Sequence, residues 1–303
     1  MLRFLKVLGT GINGEVCLSE NVKTFEKSAI KRLRQHNELE VLKKVLPHKN
    51  IVQLVNVFNL HSDVFIVMEV MDMTLKEYIQ RTNMYEHEIK WIFKETLTAL
   101  DHCHSLSILH RDIKPENILL NRNGSVKICD FSLSRTCSNQ MTPCVVTLWY
   151  RAPELLLGHT NYNYSIDTWS LCCVLLEMIY KRPPFIAKQN SEISQLESIF
   201  TALDKPEELK SVYSQEFKSC PEAFNAMDID ATPQIKELWK NLPFVADTFI
   251  YDINKRPTCK TLLQHVGECN LISFKIEKHR ASFEEIPHSW HSVFLNDVED
   301  IQN

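Results

Sequence analysis

His110-Arg111-Asp112-Ile113-Lys114-Pro115-Glu116-Asn117 is the stretch of this sequence that decides its reading. It sets a carboxylate (Asp112), an ammonium (Lys114) and a carboxamide (Asn117) within one short loop. Phosphoryl transfer to a hydroxyl asks for that set. It needs an acceptor to orient the hydroxyl, a cation beside the moving phosphoryl and a hard oxygen ligand for Mg²⁺. Two short strand-like runs follow, Ile118-Leu119-Leu120 and Val126-Lys127-Ile128, split by the hairpin-turn dipeptide Asn123-Gly124. After them Asp130-Phe131-Ser132 supplies a second carboxylate for a metal, and Ala152-Pro153-Glu154 closes the segment.

Upstream, the glycines carry the next signal. The 303 residues hold only six, against the roughly 20 that ordinary usage would give. Three of them form Gly9-Thr10-Gly11-Ile12-Asn13-Gly14-Glu15-Val16. A dinucleotide-binding turn has the same G-x-G-x-x-G spacing but opens a helix. Here the glycines lie between the apolar runs Leu5–Leu8 and Val16–Leu18, which read as two strands of a hairpin. Such a hairpin can fold over a triphosphate and offer backbone N–H groups, with no Cβ in the way. From the glycines alone, a flexible turn reads the same.

Composition narrows the class. Hydrophobic residues make up 44% and charged residues 24%, which excludes a disordered or collagen-like chain. No apolar run approaches the roughly 20 residues of a bilayer span, and the start is too weakly apolar for a secretory signal. A net charge of -4 gives no basic footprint, so neither nucleic acid nor membrane is expected as a partner. Ten scattered cysteines, with no Cys-x-x-Cys pair, predict neither a zinc site nor a disulfide framework. Reduced thiols in a cytoplasmic or nuclear protein are the expectation.

The periodicity changes along the chain. Residues 2 to 70 read as short strands, among them Ser28–Lys31, Ile51–Phe58 and Val64–Val70, with one helical stretch around Val41, Leu42, Val45 and Leu46. Beyond Leu75, Ile89, Ile92, Phe93, Thr96, Leu97 and Leu100 mark one face of a long helix. Ile166, Trp169, Val174, Leu175 and Met178 mark a second. The expected fold class is α+β: a small β-rich lobe over residues 4–72, a larger helical lobe over 73–266, and a tail over 267–303 without clear periodicity.

Taken in order, these motifs resemble the eukaryotic protein kinase family over residues 4 to 266. Ser28-Ala29-Ile30-Lys31 resembles its Val-Ala-Ile-Lys strand. Asp167-Thr168-Trp169-Ser170 and Arg256 extend the match; the family's pattern implies that Asp167 holds the catalytic loop and that Arg256 pairs with Glu154. Within the family, Val145-Val146-Thr147-Leu148-Trp149-Tyr150-Arg151-Ala152-Pro153-Glu154-Leu155-Leu156-Leu157-Gly158 resembles the cyclin-dependent kinase subgroup. So do Met68-Glu69-Val70-Met71 and residues Ile193 to Phe200, with a cell-cycle or signalling regulator as the expected member.

The resemblance implies a two-lobed serine/threonine kinase that uses ATP and Mg²⁺. Leu8, Gly9, Thr10, Gly11, Ile12, Asn13, Gly14, Glu15 and Val16 would cover the nucleotide, with Leu8, Val16 and Ala29 about the adenine. Met68 would be the gatekeeper, and backbone groups of Glu69 and Met71 would bind the base. Lys31, steadied by Glu38, would grip the α- and β-phosphates, while Asn117 and Asp130 hold the metal. Asp112 would be the catalytic acceptor and Lys114 the cation at the γ-phosphoryl. Thr142 matches the activating phosphosite, with Arg111 and Arg135 in its phosphate pocket. Val145 and Arg151 match the residues that shape a proline-accepting pocket, implying protein substrates with Ser-Pro or Thr-Pro sites. They also weigh against a kinase for small molecules.

Five departures stand out. Only seven positions separate Lys31 from Glu38, fewer than in related cyclin-dependent kinases, and the cyclin-reading PSTAIRE-type sequence is absent. A cyclin or another activator is thus an open expectation. Asn37 replaces a third phosphate-binding arginine; alternatively it is an N-cap with Glu40 as capping-box partner, which would leave Glu38 poorly placed. Ser132 replaces a glycine, with a modest cost expected if its φ is positive, roughly 1 kcal/mol. Cys172 replaces another glycine, and Thr74 replaces an aspartate at the ribose edge. The short link and Ser132 motivate a second reading, a pseudokinase or nucleotide-binding scaffold. His102-Cys103-His104 reads as structural, because neighbours on a helix point apart. Cys129 is expected to line the nucleotide pocket.

Overall fold

The apolar runs at the start of the chain pair into one antiparallel sheet. The computed structural model describes residues 2–11, 14–34, 37–137, 148–203 and 242–266. Its first strands are β1 (Leu2–Gly11), β2 (Gly14–Asn21), β3 (Lys27–Leu33), β4 (Leu54–Leu60) and β5 (Asp63–Met68). They lie in the order β1-β2-β3-β5-β4. Two expectations shift here. Ile51–Gln53 is not part of β4; Ile51 instead forms an isolated parallel bridge to Ile128. The next strand ends at Met68 rather than Val70. Burial explains the first change. Ile51 and Val52 are core residues at the junction of the lobes, where Val52 N–H donates to the Ile128 carbonyl at 3.0 Å.

Register decides which side chains share a face. Lys31 lies opposite Val16 on one side and Ile66 on the other; Ala29 lies opposite Leu18 and Met68. Residues two apart in a strand point the same way, so Val16, Ala29, Lys31 and Met68 share one face of the sheet. At the hairpin, Gly9 pairs with Val16, Thr10 with Glu15 and Gly11 with Gly14. Gly14 has φ +127°, and a Cβ there would meet the Arg32 carbonyl oxygen at 3.1 Å, so no other residue fits without displacement. Ile12 and Asn13 lie outside the described residues.

Helix α1 (Asn37–Val45) meets this sheet through the Glu38–Lys31 pair. Its apolar residues Leu39, Val41, Leu42 and Val45 are buried, and its acidic first turn and basic last turn follow the helix dipole. Removing a side chain as enclosed as Leu42 costs about 2–5 kcal/mol.

The chain then crosses through residues 69–72 into β6 (Met73–Thr74) and α2 (Leu75–Arg81). Thr74, which stands in place of an aspartate at the ribose edge, is the N-cap of α2 and forms a reciprocal capping box with Glu77. The long helix α3 (Glu86–Ser105) buries the expected face, from Ile89 to Cys103. After β7 (Ile108–Leu109), β8 (Ile118–Leu120) pairs antiparallel with β9 (Val126–Ile128) around a turn in which Gly124 has φ +82°. β10 (Arg135–Thr136) pairs back onto β7. Among the described residues five further helices follow in chain order: α4 (Pro153–Leu156), α5 (Ser165–Tyr180), α6 (Glu192–Leu203), α7 (Pro243–Thr248) and α8 (Cys259–Val266). All but three of the sixteen residues of α5 are buried, so it is apolar nearly all round and forms the axis of this lobe. Cys172 is fully enclosed there.

Candidate active site

The β8–β9 hairpin brings the two metal-ligand candidates to one end. Ile118 faces Ile128, so the residues flanking the strands, Asn117 and Cys129, also meet, and Cys129 N–H donates to the Asn117 carbonyl at 3.0 Å. Asp130 follows immediately. Its backbone is left-handed, with φ +64°, as is that of Arg111, with φ +68°. Side chains larger than glycine occupy this region rarely, and it recurs at functional sites.

Lys31 joins the two lobes. Its Nζ lies 2.7 Å from Glu38 Oε1 on α1 and 2.7 Å from Asp130 Oδ1 after β9. The lysine is only 4% exposed. Burial works against its charge, but two carboxylates outweigh burial and the lysine stays protonated above its usual range. Glu38 has one cation to share and a second carboxylate nearby, so burial pushes its carboxyl up. For Asp130, burial acts in the same upward direction, yet Lys31 and the Ser132 hydroxyl reverse it and hold the carboxyl at about 2.

Asp112 and Asn117 form a second cluster. Asn117 Nδ2 donates to the Asp112 carbonyl and to Asp112 Oδ2, each at 2.8 Å. Lys114 Nζ lies 2.9 Å from the same Oδ2. Burial raises the Asp112 carboxyl above its ordinary value in spite of Lys114. Among the described residues no donor reaches Asp112 Oδ1, Asn117 Oδ1 or Asp130 Oδ2. The acceptor candidate and both metal-ligand candidates thus each keep one oxygen unclaimed by protein.

This loop is held from beneath by Asp167 of α5. Its carboxylate accepts from the backbone N–H of His110 at 2.9 Å and of Arg111 at 2.8 Å. His104 Nε2 donates to it at 2.9 Å, and Cys259 Sγ lies 3.6 Å from His104 Nδ1. Burial disfavours the Asp167 carboxylate, but these donors hold its carboxyl below the usual range. His110 accepts from Asp112 N–H at 3.3 Å and donates through Nε2 to the Cys129 carbonyl at 3.0 Å, which ties the loop to the strand before Asp130. Glu154 and Arg256 meet as the motif order implied, with Nη1–Oε1 at 2.5 Å and Nη2–Oε2 at 2.7 Å.

A protein kinase domain model matches residues 2–266 of this chain. The chain belongs to the protein kinase family. Its relatives include cyclin-dependent kinase 1 of Encephalitozoon cuniculi (strain GB-M1), 32% identical over 283 residues, covering 86% of this chain and 94% of that protein. They also include the mitogen-activated protein kinase homolog NTF3 of Nicotiana tabacum, 35% identical over 290 residues, covering 86% of this chain and 76% of that protein. In fold, the chain is similar to a chain of the yeast RNA Pol II CTD kinase CTDK-1 complex. The TM-score is 0.73 at 27% identity, with 86% of this chain and 91% of that one covered. This is a serine/threonine protein kinase of the cyclin-dependent-kinase-like subgroup, in a family that uses ATP and Mg²⁺.

In this kinase the remaining candidates fall as follows. Val16 and Ala29 lie on the Lys31 face of the sheet, and Met68 ends β5 beside them. Leu8 sits exposed at an irregularity of β1. The Glu69 N–H donates to the Gln53 carbonyl at 3.1 Å, so of its backbone groups the carbonyl remains for the base. The Glu69 side chain turns away to Gln53 N–H and Lys127. Arg111 donates to the Leu133 carbonyl and the Tyr162 hydroxyl, and Arg135 to the Ser134 carbonyl. Arg151 is buried and pairs with Glu192 at 3.0 Å. Thr142 and Val145 lie outside the described residues.

The alternative reading of Asn37 and the backbone cost expected at Ser132 need correction, while the Lys31–Glu38 pair forms as expected. Asn37 does not form a capping box with Glu40. Its Nδ2 donates to the Ser134 carbonyl at 2.8 Å, while Glu40 is exposed beside Lys43. Glu38, though in the first turn of α1, reaches Lys31 fully. Ser132 has no positive φ; the left-handed residue is Asp130, so the expected backbone cost at Ser132 does not arise. His102 and His104 point apart as expected, His102 toward the Val45 carbonyl and His104 toward Asp167. Sequence reasoning missed the His104–Cys259 support, whose two ends lie far apart in the chain.

Proposed function

We propose that this kinase transfers the γ-phosphoryl of ATP to serine and threonine hydroxyls of proteins, at sites followed by proline, as a cell-cycle or signalling regulator. The observation that carries the reading is Lys31, a buried ammonium gripped between Glu38 and Asp130 from opposite lobes. In this reading Lys31 takes the α- and β-phosphates. Asp112 orients the substrate hydroxyl through Oδ1 and accepts its proton, while Lys114 offsets charge on the transferring group. The unclaimed oxygens Asp130 Oδ2 and Asn117 Oδ1 suit a hard cation, and one carboxylate plus one amide is what Mg²⁺ takes when phosphates complete its shell. Bound there, Mg²⁺ would neutralise charge developing on the phosphates. Rate enhancement then comes from position and preorganised charge.

Proline direction is supported by the likeness of residues 145–158 to cyclin-dependent kinases and by the buried Arg151. A cyclin-type or other activator protein is the proposed partner, in keeping with the name of one relative, a cyclin-dependent kinase, and with the solved neighbour being part of a complex. With Glu38 already on Lys31, such a partner would stabilise α1 rather than swing it. The free cysteines of the described residues suit a cytoplasmic or nuclear setting. The geometry of Glu38 and Ser132 supports catalysis over a silent scaffold, since both side chains engage the phosphate- and metal-binding groups. The test is Mg·ATP-dependent phosphorylation of a Ser-Pro peptide against its Ser-Ala counterpart, with Asp112→Asn as control. Phosphate on the Ser-Pro peptide only, lost in the control, supports the reading. A parent enzyme no better than Asp112→Asn, with and without a partner captured from native extract, rejects it.

A further inference from the structure

Ser132 stands where the family motif has glycine, and its side chain has a definite partner. The hydroxyl donates to Asp130 Oδ1 at 2.7 Å, while its own backbone N–H reaches the same oxygen only at 3.4 Å. Lys31 Nζ lies 2.7 Å from that oxygen as well. All donors therefore gather on Oδ1, and no described residue donates to Oδ2. The Asp130 side chain is 26% exposed, so its second oxygen is open on one side. Lys31 alone does not decide which oxygen is engaged. Its ammonium is a rotatable point donor, already shared with Glu38. A hydroxyl two residues along, on a buried serine, is a short tether that does decide it.

We propose that Ser132 is a positioning residue for the cation site: its hydroxyl pins Oδ1 of Asp130, so that Oδ2 is presented to the metal of the bound Mg·ATP. This rests on Asp130 being a metal ligand, as proposed above. A glycine here would keep only the long N–H contact, so the serine supplies orientation that the family's usual residue does not. Partners behind a metal ligand commonly change metal affinity by about 10-fold or more when removed.

The experiment measures Mn²⁺ binding by the full chain with an ATP analogue that cannot transfer its γ-group, read from the electron paramagnetic resonance of free Mn²⁺. Parent, Ser132→Ala, Ser132→Thr and Asp130→Asn are compared, each first shown to be folded by its melting curve. Ser132→Ala is expected to bind Mn²⁺ about tenfold more weakly. Ser132→Thr, which keeps the hydroxyl, should bind as the parent does. In turnover assays Ser132→Ala should need more Mg²⁺ for half-maximal rate, with kcat recovered at saturating Mg²⁺. Unchanged Mn²⁺ affinity in Ser132→Ala, or a Ser132→Thr variant as weak as Ser132→Ala, overturns the proposal while Asp130 remains a ligand. If Asp130→Asn binds as the parent does, Asp130 is not a ligand and both readings fall.

Discussion

Cutting the Glu154–Arg256 pair should be among the most damaging single changes available in this protein. Both side chains are fully enclosed, and the guanidinium meets the carboxylate through two parallel contacts. Arg256 Nε also donates to the Ile250 carbonyl at 2.7 Å, and the guanidinium lies 4.8 Å over the Trp169 ring. Glu154→Ala leaves a buried cation with only that carbonyl and an indole face. Breaking a buried pair from one side costs about 3–5 kcal/mol, because the desolvated charge remains without its counter-charge. At about 2–4 °C per kcal/mol for a domain of this size, the midpoint should fall by roughly 6–20 °C. Replacing both partners with apolar residues, Glu154→Leu with Arg256→Met, removes the stranded charge and should recover at least half of the loss. Urea unfolding of the parent, Glu154→Ala, Glu154→Leu, Arg256→Met and the double variant measures the free energies, and melting curves measure the midpoints. A loss below about 1 kcal/mol in Glu154→Ala, the size of a solvated surface pair, would refute the reasoning. So would a double variant that falls by the sum of the two single changes.

Two other outcomes follow from the same contacts. Asn37→Ala removes the donor from α1 to the Ser134 carbonyl, so kcat/KM should fall by about 2- to 10-fold, the worth of one such hydrogen bond, with the melting point little changed; an unaltered kcat/KM would show that this contact does not help hold α1. Activity needs Asp112 as carboxylate and burial raises its pKa, so the acid limb of kcat/KM should lie above the ordinary aspartate range. Lys114 favours the carboxylate, so in the residual activity of Lys114→Met that limb should move to higher pH, and movement to lower pH would contradict the assignment.

The sequence made legible what is written in short-range pattern. The hairpin around Gly124, the face of α3 and the spacing from Asp112 to Asn117 all follow from neighbours in the chain. The elements missed or misplaced depend on distant partners. β4 begins late because Ile51 and Val52 are claimed by Ile128, far along the chain. Asn37 looked like a cap because its partner, the Ser134 carbonyl, lies 97 residues away. Ser132 looked like a backbone penalty because substitution for glycine suggests φ before it suggests a hydroxyl's target; only the fold shows that Asp130 carries the left-handed turn. His104 carries no local sign of its bond to Asp167, 63 residues on.

The central claim is that Asp130 and Asn117, brought together by one hairpin, offer their unclaimed oxygens to a single cation on a bound triphosphate. A crystal grown with Mn²⁺ and a non-transferable ATP analogue, with data collected for manganese anomalous scattering, tests it most directly. The account predicts an anomalous peak coordinated by Asp130 Oδ2 and Asn117 Oδ1, with the phosphates on Lys31. A nucleotide bound without such a peak, or a peak coordinated elsewhere, would contradict it.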